Sequence, residues 1–308
     1  MNRYAIIDLG TNIFNLLIAA RNEEGKPVFL NYSRIPVNLG EGGINQGFIA
    51  PAAFERGVNA MCKHMETIEK SDCKQIYAFA TSAVRDAENG KAFIDAVYEK
   101  TGIRIDVIDG LKEAEFIYSG AKNAFPLTSK TLIMDIGGGS TEMIIADARQ
   151  VYFMRSYRVG VSRLREKFNV DSPASPVQIM EMEKFLDELF RDLFAEIKKH
   201  EVTTLLGSSG SFESFTDILW HRLHQQAFNF NENTYAHLPS EALMDLLNEL
   251  IHSDHHFRSG LKGLPELRRD FIAYSSVITR MIINNGNIQE VYLSSYALKE
   301  GVFFGLED

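Results

Sequence analysis

Two stretches of this chain carry the same pattern of apolar and small residues. Residues 8–19 read DLGTNIFNLLIA and residues 135–146 read DIGGGSTEMIIA. Both open on Asp, an aliphatic residue and Gly, then run into an aliphatic segment ending Ile-Ala. The apolar runs Ala5-Ile6-Ile7 and Leu132-Ile133-Met134 precede them. Each copy predicts a strand, a Gly-rich turn and a second strand. A further strand is predicted over 28–32 and a loop at Gly40-Glu41-Gly42-Gly43. Pro51 suits the first turn of a helix running to about Lys70. A strand over 75–80, a helix over 91–100 closed by Gly102, a strand over 104–108 and a helix over 112–124 follow. Beyond the second copy, the apolar spacing predicts one long helix over 176–200 and a strand over 203–206. Helical stretches near 211–226, 239–252 and 265–285, a strand over 291–293 and a last helix from about Tyr296 complete the chain. Strands alternating with helices predict an α/β fold.

Composition narrows the class. A chain of 308 residues with 45% hydrophobic and 24% charged residues is expected to be a soluble globular protein of two domains. No apolar run approaches the roughly 20 residues of a membrane span. Met1-Asn2-Arg3-Tyr4 leads straight into a strand without a signal-peptide pattern, so a cytoplasmic protein is expected, with Cys62 and Cys73 reduced. The net charge of −9 opposes binding to nucleic acid or an anionic membrane. A polyanionic substrate would then need metal ions or a local basic patch. Arg155, Arg158, Arg163, Arg165 and Lys167 fall within 13 residues and offer such a patch, a candidate path for a polyanion.

The repeated turn is where chemistry is expected. Glycines let backbone N–H groups converge on an anion, and an Asp just before such a turn suits a hard divalent cation. Asp8 and Asp135 hold that position, and the same phrase at two sites is far stronger than one Gly turn. Glu142 lies seven residues after Asp135, where the first copy has Asn15, and could hold metal or orient water. Glu113 falls in the first turn of a predicted helix, where the dipole favours a carboxylate. Arg85 follows a strand end, and a guanidinium there could grip phosphate. His252, Asp254, His255 and His256, and the pair His221 and His224, lack the convergent ligand set of a zinc site.

Taken together these motifs resemble the exopolyphosphatase / guanosine pentaphosphate phosphohydrolase family, in its short two-domain form. The resemblance rests on Asp8-Leu9-Gly10-Thr11-Asn12, Leu39-Gly40-Glu41-Gly42, the run from Ala80 to Arg85, Glu113-Ala114 with Ile117 to Gly120, and the run from Asp135 to Glu142. Gly160 with Arg163-Leu164, and Leu298-Lys299-Glu300-Gly301, complete it. The resemblance implies two ribonuclease-H-like domains of the actin, sugar-kinase and heat-shock-ATPase superfamily with a cleft between them. The expected division is 1–124 with 296–308, and 125–295. It implies release of terminal phosphate from polyphosphate or of the 5′ γ-phosphate from guanosine pentaphosphate. By position, Glu113 is the expected base, aided by Glu142. Asp8, Asp135 and Glu142 are expected around Mg²⁺, with K⁺ as a further candidate ion. Gly10, Thr11, Asn12 and Gly137, Gly138, Gly139, Ser140 and Thr141 are expected to cradle phosphates, with Arg85 clamping one. A homodimer is a candidate assembly, and a non-hydrolytic polyphosphate- or alarmone-binding regulator is the rival class. The chain departs from the family at Ile13 and Asn15, where Ser and a basic residue are usual. It also departs at Gly207-Ser208-Ser209-Gly210-Ser211, in place of the superfamily's adenosine segment.

Overall fold

The first repeat folds as a hairpin of β1 (Arg3–Leu9) and β2 (Ile13–Arg21), with Leu9 facing Phe14 and Asp8 facing Asn15. The computed structural model describes residues 2–306. After the hairpin come β3 (Pro27–Pro36), α1 (Pro51–Lys70), β4 (Gln75–Ala80) and α2 (Ser82–Arg85). Then follow α3 (Gly90–Thr101), β5 (Ile105–Val107) and α4 (Gly110–Ala124). The strands form a five-stranded sheet of order β3-β2-β1-β4-β5. The three N-terminal strands are antiparallel, and β4 and β5 run parallel to β1, the ribonuclease-H-like arrangement. Ile6 and Ile7 are both fully buried, so the central strand is covered on both faces and reads as a continuous apolar run. One face packs Ile7, Leu9 and Phe14 against Met61 of α1 and Phe93 of α3.

The second repeat begins the same plan again. β6 (Thr131–Ile136) and β7 (Thr141–Ala146) pair so that Ile136 faces Thr141 and Asp135 faces Glu142. Then come β8 (Val151–Tyr157), α5 (Val161–Phe168), α6 (Pro176–Leu189), α7 (Arg191–His200), β9 (Thr204–Ser208) and α8 (Ser209–His224). They are followed by β10 (Tyr235–Leu238), α9 (Ser240–Ile251), α10 (His255–Gly260), a 3-10 turn (Glu266–Arg268), α11 (Ile272–Asn285) and β11 (Glu290–Ser294). The sheet order β10-β11-β9-β6-β7-β8 is the first order plus one edge strand. α12 (Leu298–Phe304) ends the described chain. The chain forms two compact units, the part up to Gly120 with the segment from Leu298, and Ala121–Ala297.

Several elements differ from expectation. The long helix expected over 176–200 is two helices, broken at Phe190, whose buried ring meets Tyr157 edge-on at 4.9 Å. Burying that ring fixes the break against the period-3.6 pattern, which runs on through it. The stretch near 265–285 is a 3-10 turn over Glu266–Arg268 followed by α11 from Ile272. α2, β8, α5, β10 and α10 have no counterpart in the sequence reading. They are short, or, like β8, half-exposed edge strands defined by pairing more than by burial. Among the described residues, no helix is long and apolar enough to cross a membrane.

Candidate active site

In the first unit, β1, β4 and β5 run parallel, so the chain segments leaving them lie side by side. Asp8 to Asn12 close β1, Arg85 lies in α2 after β4, and Glu113 lies in the first turn of α4 after β5. This is the edge of an α/β sheet where ligands usually bind. Asp8 accepts a hydrogen bond from Asn15 Nδ2 at 3.1 Å, so the residue that departs from the family steadies the carboxylate as a neutral donor. The turn is tied back through its carbonyls. Thr11 O accepts from the Gly40 N–H at 3.3 Å, and Asn12 O accepts from the Val37 and Asn38 N–H groups at 2.8 and 2.9 Å. C=O and the next N–H point oppositely in a planar trans peptide, so the Asn12 and Ile13 N–H groups face away from that segment. A Cβ on Gly40 would lie 2.7 Å from Thr11 Cγ2, so the backing turn needs glycine there. Thr11 is buried, its hydroxyl 3.1 Å from Ser82 Oγ.

Arg85 and Glu113 form one group. Arg85 Nη1 lies 3.2 Å from Glu113 Oε2 and donates to Ile108 O at 3.1 Å, while its Nε sits 3.4 Å from Asp86 Oδ1. Glu113 is 7% exposed. Asp109 Oδ1 accepts the Lys112 N–H at 2.8 Å and starts the helix that carries Glu113. The expected phosphate clamp is thus bound to the expected base.

In the second unit, Asp135 and Glu142 face each other across the hairpin, 6% and 1% exposed. Asp135 Oδ2 accepts from Ser208 Oγ at 2.9 Å and Ser209 Oγ at 2.6 Å, and Glu142 Oε1 accepts from Ser156 Oγ at 2.7 Å. Sequence reasoning missed these three serines. Ser208 and Ser209 stood out in the sequence only as part of the 207–211 run in place of the adenosine segment, and Ser156 had no signal. Ser209 adopts a left-handed backbone, φ 61°, which for a non-glycine residue is strained and aims its hydroxyl at the carboxylate. The turn of residues 137–140 is again held from behind. Gly137 O accepts from Val161 N–H at 3.0 Å and Gly138 O from Ser162 N–H at 2.9 Å. Thr141 Oγ1 donates to Val159 O, which anchors the far side of the turn.

The donor chemistry fits Mg²⁺. That ion takes one or two carboxylates and completes its shell with phosphate oxygens and water. Two buried carboxylates side by side repel, and a cation relieves the cost. Among the described residues no three His, Cys, Asp or Glu side chains converge on one point, a cage that Mg²⁺ does not require. The histidine groups have other partners: His255 Nε2 sits 3.7 Å from Asp270, and the His224 ring lies against Trp220.

The cations of the basic run have separate partners in the structure. Arg155 is paired with Asp192. Arg165 sits 3.3 Å from Asp270 and over the Phe271 ring. Lys167 lies between the Phe168 and Phe185 rings, and Arg163 is buried beneath the Gly turn. Arg158 is exposed at the end of β8. Charge spacing along the sequence could not foresee that partners from α7 and the segment before α11 meet these cations.

Comparison with known proteins agrees with this geometry. A profile of the Ppx/GppA phosphatase family matches residues 18–308. The Haemophilus influenzae protein named "Putative exopolyphosphatase" is 28% identical over 303 residues, covering 98% of this chain and 91% of that one. The crystal structure of an exopolyphosphatase from Cytophaga hutchinsonii is 30% identical, with a TM-score of 0.94 over 98% of this chain and 97% of that one. The Aquifex aeolicus PPX-GPPA enzyme, 20% identical over 99% of both chains, has a TM-score of 0.80 and shares the fold. With the repeated hairpin, an Asp near the end of its first strand in each copy and a family match over nearly its whole length, this chain belongs to the Ppx/GppA phosphatase family.

Proposed function

We propose that this chain is an exopolyphosphatase, releasing orthophosphate from the end of inorganic polyphosphate with the help of Mg²⁺. One observation carries the reading. Each unit closes its hairpin with a small-residue turn tied back through its carbonyls, which turns backbone N–H groups outward as an anionic phosphate demands. Glu113 takes a proton from the attacking water as the new P–O bond forms. The bond from the terminal phosphorus to the bridging oxygen breaks, orthophosphate leaves, and the shortened chain keeps that oxygen. Arg85 fixes the orientation of Glu113. Asp135 and Glu142 would hold Mg²⁺, which when bound neutralises charge on the phosphate oxygens, and Asp8 is the candidate ligand of the first unit. Little covalent work is left to the protein beyond positioning and charge.

The segment after β9 supports polyphosphate over a nucleotide. The hydroxyls of Ser208 and Ser209 are used on Asp135. Gly210 is covered by the Arg268 guanidinium, which a Cβ there would approach to 2.4 Å. Arg268 in turn holds Glu213 at 3.0 Å and Ser214 Oγ at 3.1 Å. A base seated on this segment would have to displace that cluster. The relatives named as exopolyphosphatases point the same way. The test is phosphate release from polyphosphate, guanosine pentaphosphate and ATP in parallel with Mg²⁺. Polyphosphate should give the largest kcat/KM. A larger value on either nucleotide overturns the substrate choice, and tight binding without release from any of the three points to a regulator.

A further inference from the structure

Arg163 is 7% exposed, and its Nε donates to Gly139 O at 2.8 Å. That bond completes a series. Gly137 O is held by the Val161 N–H at 3.0 Å. Gly138 O is held by the Ser162 and Arg163 N–H groups at 2.9 and 3.3 Å. Three consecutive carbonyls of the turn are therefore drawn toward the start of α5, two by backbone and the third by a side chain. These peptides are trans, so the N–H groups of Gly138, Gly139 and Ser140 point the other way. The approach is as close as backbone allows. A Cβ on Gly160 would come within 2.5 Å of Gly137 O and of the Gly138 carbonyl.

We propose that Arg163 is a positioning residue for the anion-binding turn, not a cation on a substrate path. Its guanidinium locks the Gly139–Ser140 peptide with the Ser140 N–H facing the anion. The helix start already orients the two preceding peptides but offers no N–H that reaches the third. Glycine is the most permissive residue, so an unheld Gly139 peptide would flip freely and lose that donor. The side chain acts through the backbone it grips. Its charge matters because a charged donor makes the stronger bond to the carbonyl. This inference rests on the reading that the turn binds phosphate.

Two variants separate the roles. Arg163→Lys keeps the charge but moves the donor one bond further out. Arg163→Met keeps the bulk and removes both. Binding of tripolyphosphate and of a long polyphosphate is measured by calorimetry with Mg²⁺, alongside amide hydrogen exchange of residues 137–140 without ligand. Positioning predicts that both variants bind both chains about tenfold more weakly, by the same factor, with faster exchange confined to the turn. A lysine variant that binds like the wild type, or a loss that grows with chain length, overturns the proposal in favour of a charge contact. Unfolding of both variants overturns it too, by making Arg163 a folding residue. If the wild type itself binds neither chain, the phosphate reading fails first and takes this one with it.

Discussion

Arg85 Nη1 sits 3.2 Å from Glu113 Oε2 and at the same time donates to Ile108 O, so one guanidinium ties the carboxylate of α4 to the backbone just before it. Glu113 is held in one rotamer before any substrate arrives. Glu113→Gln should therefore lower kcat by about 10²–10⁴-fold, the worth of a general base, while polyphosphate binding persists. The check is kcat at saturating Mg²⁺ together with direct binding. Retention of more than about a third of kcat would leave Glu113 as a helix-start residue.

Arg85→Lys keeps a positive charge but cannot reach Glu113 and Ile108 O with one planar group. Its kcat should fall, and the fall should largely vanish in a Glu113→Gln background, because both changes remove one functioning unit. A double-mutant cycle reads this out. Simple additivity would mean that Arg85 acts on the phosphate directly.

Asp135→Asn replaces a carboxylate by a neutral amide, which leaves one uncharged oxygen to accept from Ser208 and Ser209. The Mg²⁺ concentration for half-maximal activity should rise, and calorimetric Mg²⁺ binding should weaken in parallel. Unchanged Mg²⁺ binding in a folded variant would make Asp135 structural.

Arg155→Ala and Arg165→Ala should leave binding of long polyphosphate within about twofold, because Asp192 and Asp270 already meet these charges. The stability cost should be at most about 1 kcal/mol, as for exposed ion pairs. Thermal unfolding and a salt series of polyphosphate binding test both statements. A steep, chain-length-dependent loss would restore the basic path.

His64 gives the fold an acid limit. It is fully buried in α1, with Nε2 3.1 Å from Phe14 O and Nδ1 without a hydrogen-bond partner. Burial pushes its pKa below the ordinary value, partly offset by the Phe14 carbonyl. The unfolded chain then binds the proton more readily than the native state. Stability is intact above the unfolded value of about 6.5 and is lost as pH falls from there toward the folded value, by up to about 1.4 kcal/mol per pH unit. His64→Gln should flatten the dependence of Tm on pH below about 6.5. Equal slopes in both proteins would assign the acid sensitivity elsewhere.

Pattern and spacing along the chain were enough for the two hairpins, the α/β class and the acidic position seven residues after Asp135. A repeated local pattern sets strand pairing across a short turn, and the register then forces Asp8 opposite Asn15 and Asp135 opposite Glu142. It also placed Glu113 in a first helical turn and carried enough motif to name the family. What those groups touch came from the packing of segments distant in sequence. Arg85 meets Glu113 because β4 and β5 are parallel neighbours, which brings segments 28 residues apart together. Arg163 goes beneath the Gly turn, and Arg155 and Arg165 to acidic partners, because α5, α7 and the segment before α11 pack around the second sheet. Ser208 reaches Asp135 only through the β6–β9 pairing. Spacing along the chain encodes local geometry. A side chain's partner depends on contacts distant in sequence, which packing of the whole unit selects.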